Sequence, residues 1–228
     1  MMSWLPPENI STFGPTIDRM FIGIYYLTGV VFLGVQLTLL AFLVIYRYRP
    51  DRRATYTHGN TTLEIIWTVT PSIILVVLAL ISRATWADIK QRLPPTDMLV
   101  QITAKQFNWE IAYPGPDGKL GTEDDATMDN DLHVPVGKTV RVMLKSRDVI
   151  HSFFVPAMRL KQDAVPGHTI PVWFKTTKAG KYEIPCAELC GFGHSGMKGW
   201  LFVDKAEDYE TWAKEHGVGP LVHLDAQG

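Results

Sequence analysis

The stretch CAELCGFGHSGM, from Cys186 to Met197, gathers soft metal donors in one short run. It holds both cysteines of the 228-residue chain, with His194 four positions beyond the second and Met197 three beyond that. Taken alone, two such cysteines read first as a structural disulfide or a pair of packed thiols. A zinc clip matches less well, because zinc sites favour other ligand spacings and rarely recruit a thioether. Thiolate, imidazole and thioether donors together suit copper.

Counting donors sharpens the choice. A mononuclear blue-copper site uses two histidines, one cysteine and a weak axial methionine, so this run has one thiolate too many. A second histidine, His151, opens an expected strand in DVIHSFFVP. Two thiolates, two imidazoles and a thioether are a set that two copper ions can share. Two copper ions with three positive charges between them, bridged by two thiolates, carry a net charge of about +1, which a low-dielectric pocket tolerates. One added electron makes that core neutral. Held by a rigid scaffold, such a site moves little on reduction and offers no open position for a substrate.

The elements that position these donors fall into two contrasting parts. Met20–Tyr46 is an uncharged apolar run, longer than the ~20 residues that cross a bilayer, and Ile65–Ser82 is a second, shorter one. Neither shows water a polar face, which argues against a buried core helix and for two transmembrane spans. Arg47, Arg49, Arg52 and Arg53 follow the first span, so the positive-inside rule places the short connecting loop in the cytoplasm and both termini outside. The first run lacks a basic leader segment and exceeds a signal-peptide core, so it is expected to remain as an anchor.

Beyond Trp86 the chain reads as one water-soluble domain, giving a division into 1–89, the N-terminal segment and transmembrane hairpin, and 90–228, an outer domain. Alternating residues such as Val140, Val142 and Leu144, or Ile170, Val172 and Phe174, predict half-buried strands separated by tight turns. An all-β Greek-key sandwich follows. The apolar parity changes between Val100–Ile102 and Phe107–Tyr113, which predicts a bulge near Ala104. Tyr209, Trp212, Ala213 and His216 fall at helical spacing before Gly217, predicting a short C-terminal helix. With a net charge of −1 and no clustered basic excess in the soluble part, nothing points to nucleic acid. The loop GPDGKLGTEDD offers Asp117, Glu123, Asp124 and Asp125 but lacks a calcium-loop pattern, so it reads as a solvated acidic turn. His58, His133, His168, His216 and His223 read as surface or loop residues.

The spacing C-x3-C-x3-H-x2-M, preceded by DVIHSFFVP, LKQDAVPG and a two-helix anchor, closely resembles subunit II of haem–copper cytochrome c oxidases. The resemblance covers most of the chain, and it implies a cupredoxin-like domain with a dinuclear copper A centre of two copper ions. In it Cys186 and Cys190 would bridge the metals, His151 and His194 would be terminal ligands, and Met197 and the Glu188 carbonyl would be weak axial ligands. The Glu188 side chain would help hold a magnesium ion shared with subunit I.

Glu64, at the start of the second span, reads by itself as an acid favourable at a helix N-terminus. The resemblance implies that it guides protons into a pathway of subunit I. In the mitochondrial type of the family, a tryptophan follows the glutamine of KQFNW as the contact for cytochrome c. Here Phe107 stands there, with Trp109 expected on the same face, so both become candidates for electron admission, the alternative being plain sandwich core. Docking would be mainly apolar, with limited help from Asp148.

The implied activity is acceptance of electrons from a cytochrome c-type donor outside the membrane and their transfer to haem in subunit I. Dioxygen is then reduced to water with proton pumping. The implied partners are subunit I, subunit III, the donor and membrane lipid. Nitrous oxide reductases share the copper spacing without the hairpin, and quinol oxidases share the hairpin without the ligands. A membrane-tethered copper carrier would also fit the donor atoms, but it would want them exposed and exchangeable.

Overall fold

The computed structural model describes residues 6–225, and residues 1–5 and 226–228, with the chain's ends, lie outside that range. Two compact units result: one is Thr16–Ala87, and the other combines residues 6–15 with 88–225.

The first unit is a helical hairpin of α1 (Gly14–Ile45) and α2 (Thr61–Trp86). Its apolar side chains project all round, Val30 and Leu75 being 71% and 66% exposed, which is the surface expected of helices solvated by lipid. Several hydroxyls inside the spans find acceptors within their own helix. Thr28, Thr38 and Ser72 each donate to the carbonyl one turn back, at 2.8, 2.8 and 2.6 Å. Pro71 sits inside α2, where it removes one helical donor. Thr85 Oγ1 lies 3.4 Å from Met20 Sδ and so joins the end of α2 to the beginning of α1. At the other end Asn60 caps α2, its side chain accepting from Leu63 N at 3.1 Å, and Glu64 lies in the first turn.

The second unit is a two-layer all-β sandwich of the expected cupredoxin-like kind. One sheet contains β1 (Met98–Lys105), β2 (Asn108–Tyr113), β3 (Ala126–Asp129), β5 (Thr139–Ser146) and β8 (Ile170–Lys175), in the order β3-β2-β1-β5-β8. β1 and β5 run parallel and the other neighbours antiparallel. The second layer holds β4 (Asp131–Pro135), β10 (Lys198–Asp204) and β9 (Gly180–Pro185), in the order β4-β10-β9. A ribbon of β6 (His151–Val155) and β7 (Leu160–Ala164) meets the end of β9 through the Phe153–Cys186 bridge. Alternation puts Val100, Ile102, Val140, Val142 and Leu144 inward from the first sheet and Ile184 and Leu201 from the second, all with no exposed surface. Trp109 fills the space between layers, and its indole N–H donates to the Ile184 carbonyl at 3.2 Å.

The parity change between β1 and β2 has a simpler cause than a bulge. Their register runs without interruption from Gln101–Ala112 to Lys105–Asn108, and Gln106 and Phe107 form the two-residue connection. An antiparallel reversal through two residues exchanges odd and even positions by itself. The helix α3 (Ala206–Glu215) forms as expected and ends before Gly217, whose φ of 71° is the left-handed stop. His133 is not a surface residue: its ring is stacked between Phe202 and Trp212, at 4.3 and 4.2 Å, and bonded to Asp204 at 2.8 Å.

Residues 6–15 differ from the expected division, since they pack with the sandwich. Ile10 N donates to Ala157 O at 2.8 Å and Thr177 N donates to Ile10 O at 2.8 Å, while Ile10 and Phe13 are buried. The Phe13 ring meets Trp173 edge-on at 5.5 Å. Apolar side chains here are placed by what they can cover, which a boundary drawn from the apolar runs does not capture.

Candidate metal centre

The donors come from three places in the fold. His151 is the first residue of β6, Cys186 and Cys190 lie in the loop after β9, and Met197 precedes β10. His194 begins a single tight turn, His194–Gly196, between them. The loop is closed on itself by Cys186 N donating to Met197 O at 3.0 Å and tied to β6 by Ala187 N donating to Ser152 O at 3.0 Å. Residues distant in sequence thereby become neighbours with fixed backbones.

Five donors converge. The two sulfurs are 3.8 Å apart, Cys186 Sγ is 3.9 Å from His151 Nδ1, and Cys190 Sγ is 3.5 Å from His194 Nδ1 and 3.7 Å from Met197 Sδ. The Glu188 carbonyl oxygen lies 3.2 Å from Cys186 Sγ. A disulfide needs about 2.05 Å between sulfurs, so both cysteines are free thiols. A tetrahedral ion with bonds of about 2.3 Å to sulfur and 2.0 Å to nitrogen spaces its donors roughly 3.5–3.8 Å apart. The observed separations of 3.5–3.9 Å lie close to that spacing, and the thiolate, imidazole and thioether set fits copper. His151, Cys186 and Cys190 together form a buried cluster able to hold a metal ion.

Burial separates this centre from an exchangeable one. His151, Met197, Cys190 and Cys186 are 0%, 1%, 3% and 8% exposed. Burial, with Cys186 alongside, pushes the Cys190 thiol up to about 11, so without a metal that thiol stays protonated and a bound cation must displace its proton.

A second set of contacts orients the first. His151 Nε2 is 2.8 Å from Asp148 Oδ1; a carboxylate only accepts, so Nε2 carries the proton and the Nδ1 lone pair points toward Cys186. Burial alone would raise the Asp148 carboxyl, but hydrogen bonds from His151, Gln106 N and Val149 N hold it below its ordinary value. Gln106 joins both ligand segments: its backbone N–H donates to Asp148 Oδ2 at 2.7 Å and its side-chain Nε2 donates to Cys190 O at 2.6 Å. The sequence suggests Asp148 as an aid to donor docking, whereas its oxygens face inward to the site. The signal for that inward role is an Asp three positions before a candidate ligand histidine.

The sequence-derived site residues separate into groups. The three-dimensional fold brings together His151, Cys186, Cys190, His194, Met197 and the Glu188 carbonyl, while the Glu188 side chain is exposed. Phe107 lies over the ligand loop: a Cβ on Gly193 would meet its ring at 2.5 Å, so that position requires glycine. Phe107 is 39% exposed, with Phe192 and Leu189 wholly or largely exposed on the same loop and Val149 and Ile150 beside His151. Trp109 does not share that surface. It is fully buried and meets His151 edge-on at 6.3 Å, because Phe107 belongs to the connection rather than to the strand and alternation does not carry from one to the other. Glu64 belongs to the hairpin unit, away from these donors in the chain. The acidic loop is self-capped, with Asp125 Oδ2 accepting from Gly121 N at 2.7 Å and Asp117 Oδ1 from Lys119 N at 2.8 Å, as a solvated turn would be.

Comparison with known proteins identifies the family. Residues 99–201 match the family described as cytochrome c oxidase subunit II, periplasmic domain, and residues 14–84 match its transmembrane domain. Cytochrome c oxidase subunit 2 of Thermostichus vulcanus is 31% identical, across 93% of this chain and 78% of that protein. The alternative cytochrome c oxidase subunit 2 of Bradyrhizobium diazoefficiens is 30% identical across 93% and 83%. A crystal structure of the periplasmic domain of subunit II of cytochrome oxidase from Bradyrhizobium japonicum is 31% identical, covering 54% of this chain and 96% of that one, with a TM-score of 0.49. The chain therefore belongs to the cytochrome c oxidase subunit II family, as a membrane-anchored, outer-domain subunit of a haem–copper oxidoreductase.

Proposed function

We propose that this chain admits electrons to its oxidase, taking them singly from a cytochrome c-type donor and passing them to haem in subunit I. There they serve the reduction of dioxygen to water coupled to proton pumping. The observation that carries this reading is the convergence of five side-chain donors at 3.5–3.9 Å in a largely buried pocket. Two copper ions held there would supply a one-electron carrier.

The chain's own residues do the rest. Cys186 and Cys190 would hold the copper through their thiolates, His151 and His194 through their imidazoles, Met197 through its thioether and Glu188 through its backbone carbonyl. Asp148 keeps the proton on His151 Nε2, and Gln106 ties the Cys190 backbone to the β1–β2 connection, so neither ligand segment has freedom to move when charge changes. Phe107, with Phe192 and Leu189, presents an apolar face to the donor. The Glu188 carboxylate, exposed on the ligand loop, is free to meet a magnesium ion shared with subunit I. Glu64 guides protons toward subunit I, and subunit III completes the assembly. The Arg47–Arg53 loop lies in the cytoplasm and both termini outside; the N-terminal segment and hairpin are 1–89 and the copper domain 90–228, with residues 6–15 of the segment packed on that domain.

Electron paramagnetic resonance of the assembled, oxidised enzyme tests this reading. One unpaired electron shared equally by two copper nuclei is expected, and Cys190→Ser should abolish the sharing. A signal confined to one copper in the unaltered enzyme would overturn it.

A further inference from the structure

Away from the metal centre, the connection between α1 and α2 encloses a second feature. A cavity of about 650 Å3 is lined by Tyr46, Arg47, Arg49, Arg52, Arg53 and Thr57, among others. Arg52 shapes the loop itself, since its Nη1 donates to the Ile45 carbonyl at 2.9 Å, closing the end of α1, and its guanidinium lies 5.2 Å from the centre of the Tyr46 ring. The turn that brings it there, Arg52 N donating to Arg49 O at 3.2 Å, folds the loop around the cavity. Arg47, Arg49 and Arg53 have no carboxylate partner among the described residues.

Like charges repel, and a merely solvated basic loop gains by spreading them. Three uncompensated guanidiniums lining one cavity, each a fork of donors matched to phosphate oxygens, are arranged for an anion. The cavity adjoins the last turn of a membrane span, where Leu43, Ile45 and Tyr46 are 63%, 52% and 64% exposed. An occupant with a phosphate at headgroup level and acyl chains along that apolar face satisfies both surfaces, which a free inorganic anion does not.

We propose that this cavity binds the phosphate headgroup of an anionic phospholipid. Arg47, Arg49 and Arg53 grip the phosphate, Arg52 holds the loop in shape, and the end of α1 takes the acyl chains.

The test uses the purified whole oxidase, stripped of lipid by detergent and supplied with phosphatidylglycerol, phosphatidylcholine or inorganic phosphate, with bound lipid counted by native mass spectrometry. Phosphatidylglycerol should be retained in preference to phosphatidylcholine, and millimolar phosphate should not displace it. The double substitution Arg49→Gln, Arg53→Gln should weaken that retention roughly 30-fold, at about 1 kcal/mol per arginine. Arg83→Gln, which removes a charge at the far end of α2, should leave it unchanged. Should the double variant fail to assemble, Arg53→Gln alone should show roughly a fivefold loss. Equal retention of the two lipids, undiminished retention in the variants, or displacement by phosphate would each overturn the proposal. Copper spectra are read separately, so failure here is distinct from failure of the electron-transfer reading.

Discussion

Asp148 and His151 form a fixed pair: the carboxylate Oδ1 lies 2.8 Å from Nε2 of a histidine with no exposed surface. The contact decides which nitrogen is free for a metal. Asp148→Asn removes the charge while keeping the shape, and outer-shell changes of this kind cost about 10- to 100-fold in metal affinity. Copper should leave the variant oxidase faster in the presence of a chelator, with altered copper hyperfine splitting. Unchanged retention and spectrum would mean that packing alone orients the ring.

Phe107 and Gly193 are coupled by contact, and both should matter for the donor. Phe107→Ala removes an apolar platform, and Gly193→Ala drives a Cβ to within 2.5 Å of the ring and must displace it. Donor oxidation should fall about tenfold in each, the scale of one well-packed interface side chain, with only weak dependence on ionic strength. A steep loss of rate with salt in the unaltered enzyme would point to charge-steered docking instead.

Glu64 stands in the first turn of α2, behind the Asn60 cap. Replacing it with Gln keeps its size and removes the ionisable group. Turnover should fall severalfold while reduction of copper by the donor proceeds normally; equal turnover would leave Glu64 only its favourable place at a helix end.

Glu110 joins β1, β2 and the segment beside Asp148, accepting from Lys105 Nζ at 2.8 Å and from Arg147 Nη2 at 2.9 Å. The Lys105 hydrogen bond, opposed by partial burial and aided by both positive charges, holds its carboxyl below the ordinary value. A carboxylate held low stabilises the fold above its unfolded pKa of about 4.3, and that stabilisation is lost as pH falls through the lower folded value. Glu110→Gln should therefore lower stability at pH 7 by roughly 0.5–1 kcal/mol, discounted for its partial exposure. The difference should shrink below about pH 4. Thermal melting of the outer domain within the oxidase at the two pH values checks the sign.

Much of this molecule was legible from its residues because the relevant physics is local. Lipid forbids unsatisfied backbone and polar side chains over a fixed thickness, so two apolar runs declare themselves as helices. Soft donors at C-x3-C-x3-H-x2-M point to a metal because few other arrangements use all of them within one loop. Strand alternation and the Gly217 stop are likewise properties of short segments.

Tertiary structure decided what depends on chain reversal and long-range contact. The reversal at Gln106–Phe107 exposes Phe107 and buries Trp109, although strand alternation places them together. Asp148 turns inward because Gln106 N and His151 both offer it protons there, and Gln106 reaches Cys190 only because the sandwich folds β1 beside the ligand loop. Ile10 and Phe13 join the sandwich by covering apolar surface made from residues far along the chain. Local spacing determines which groups are available; the packing of distant segments determines which side of each group meets its partner.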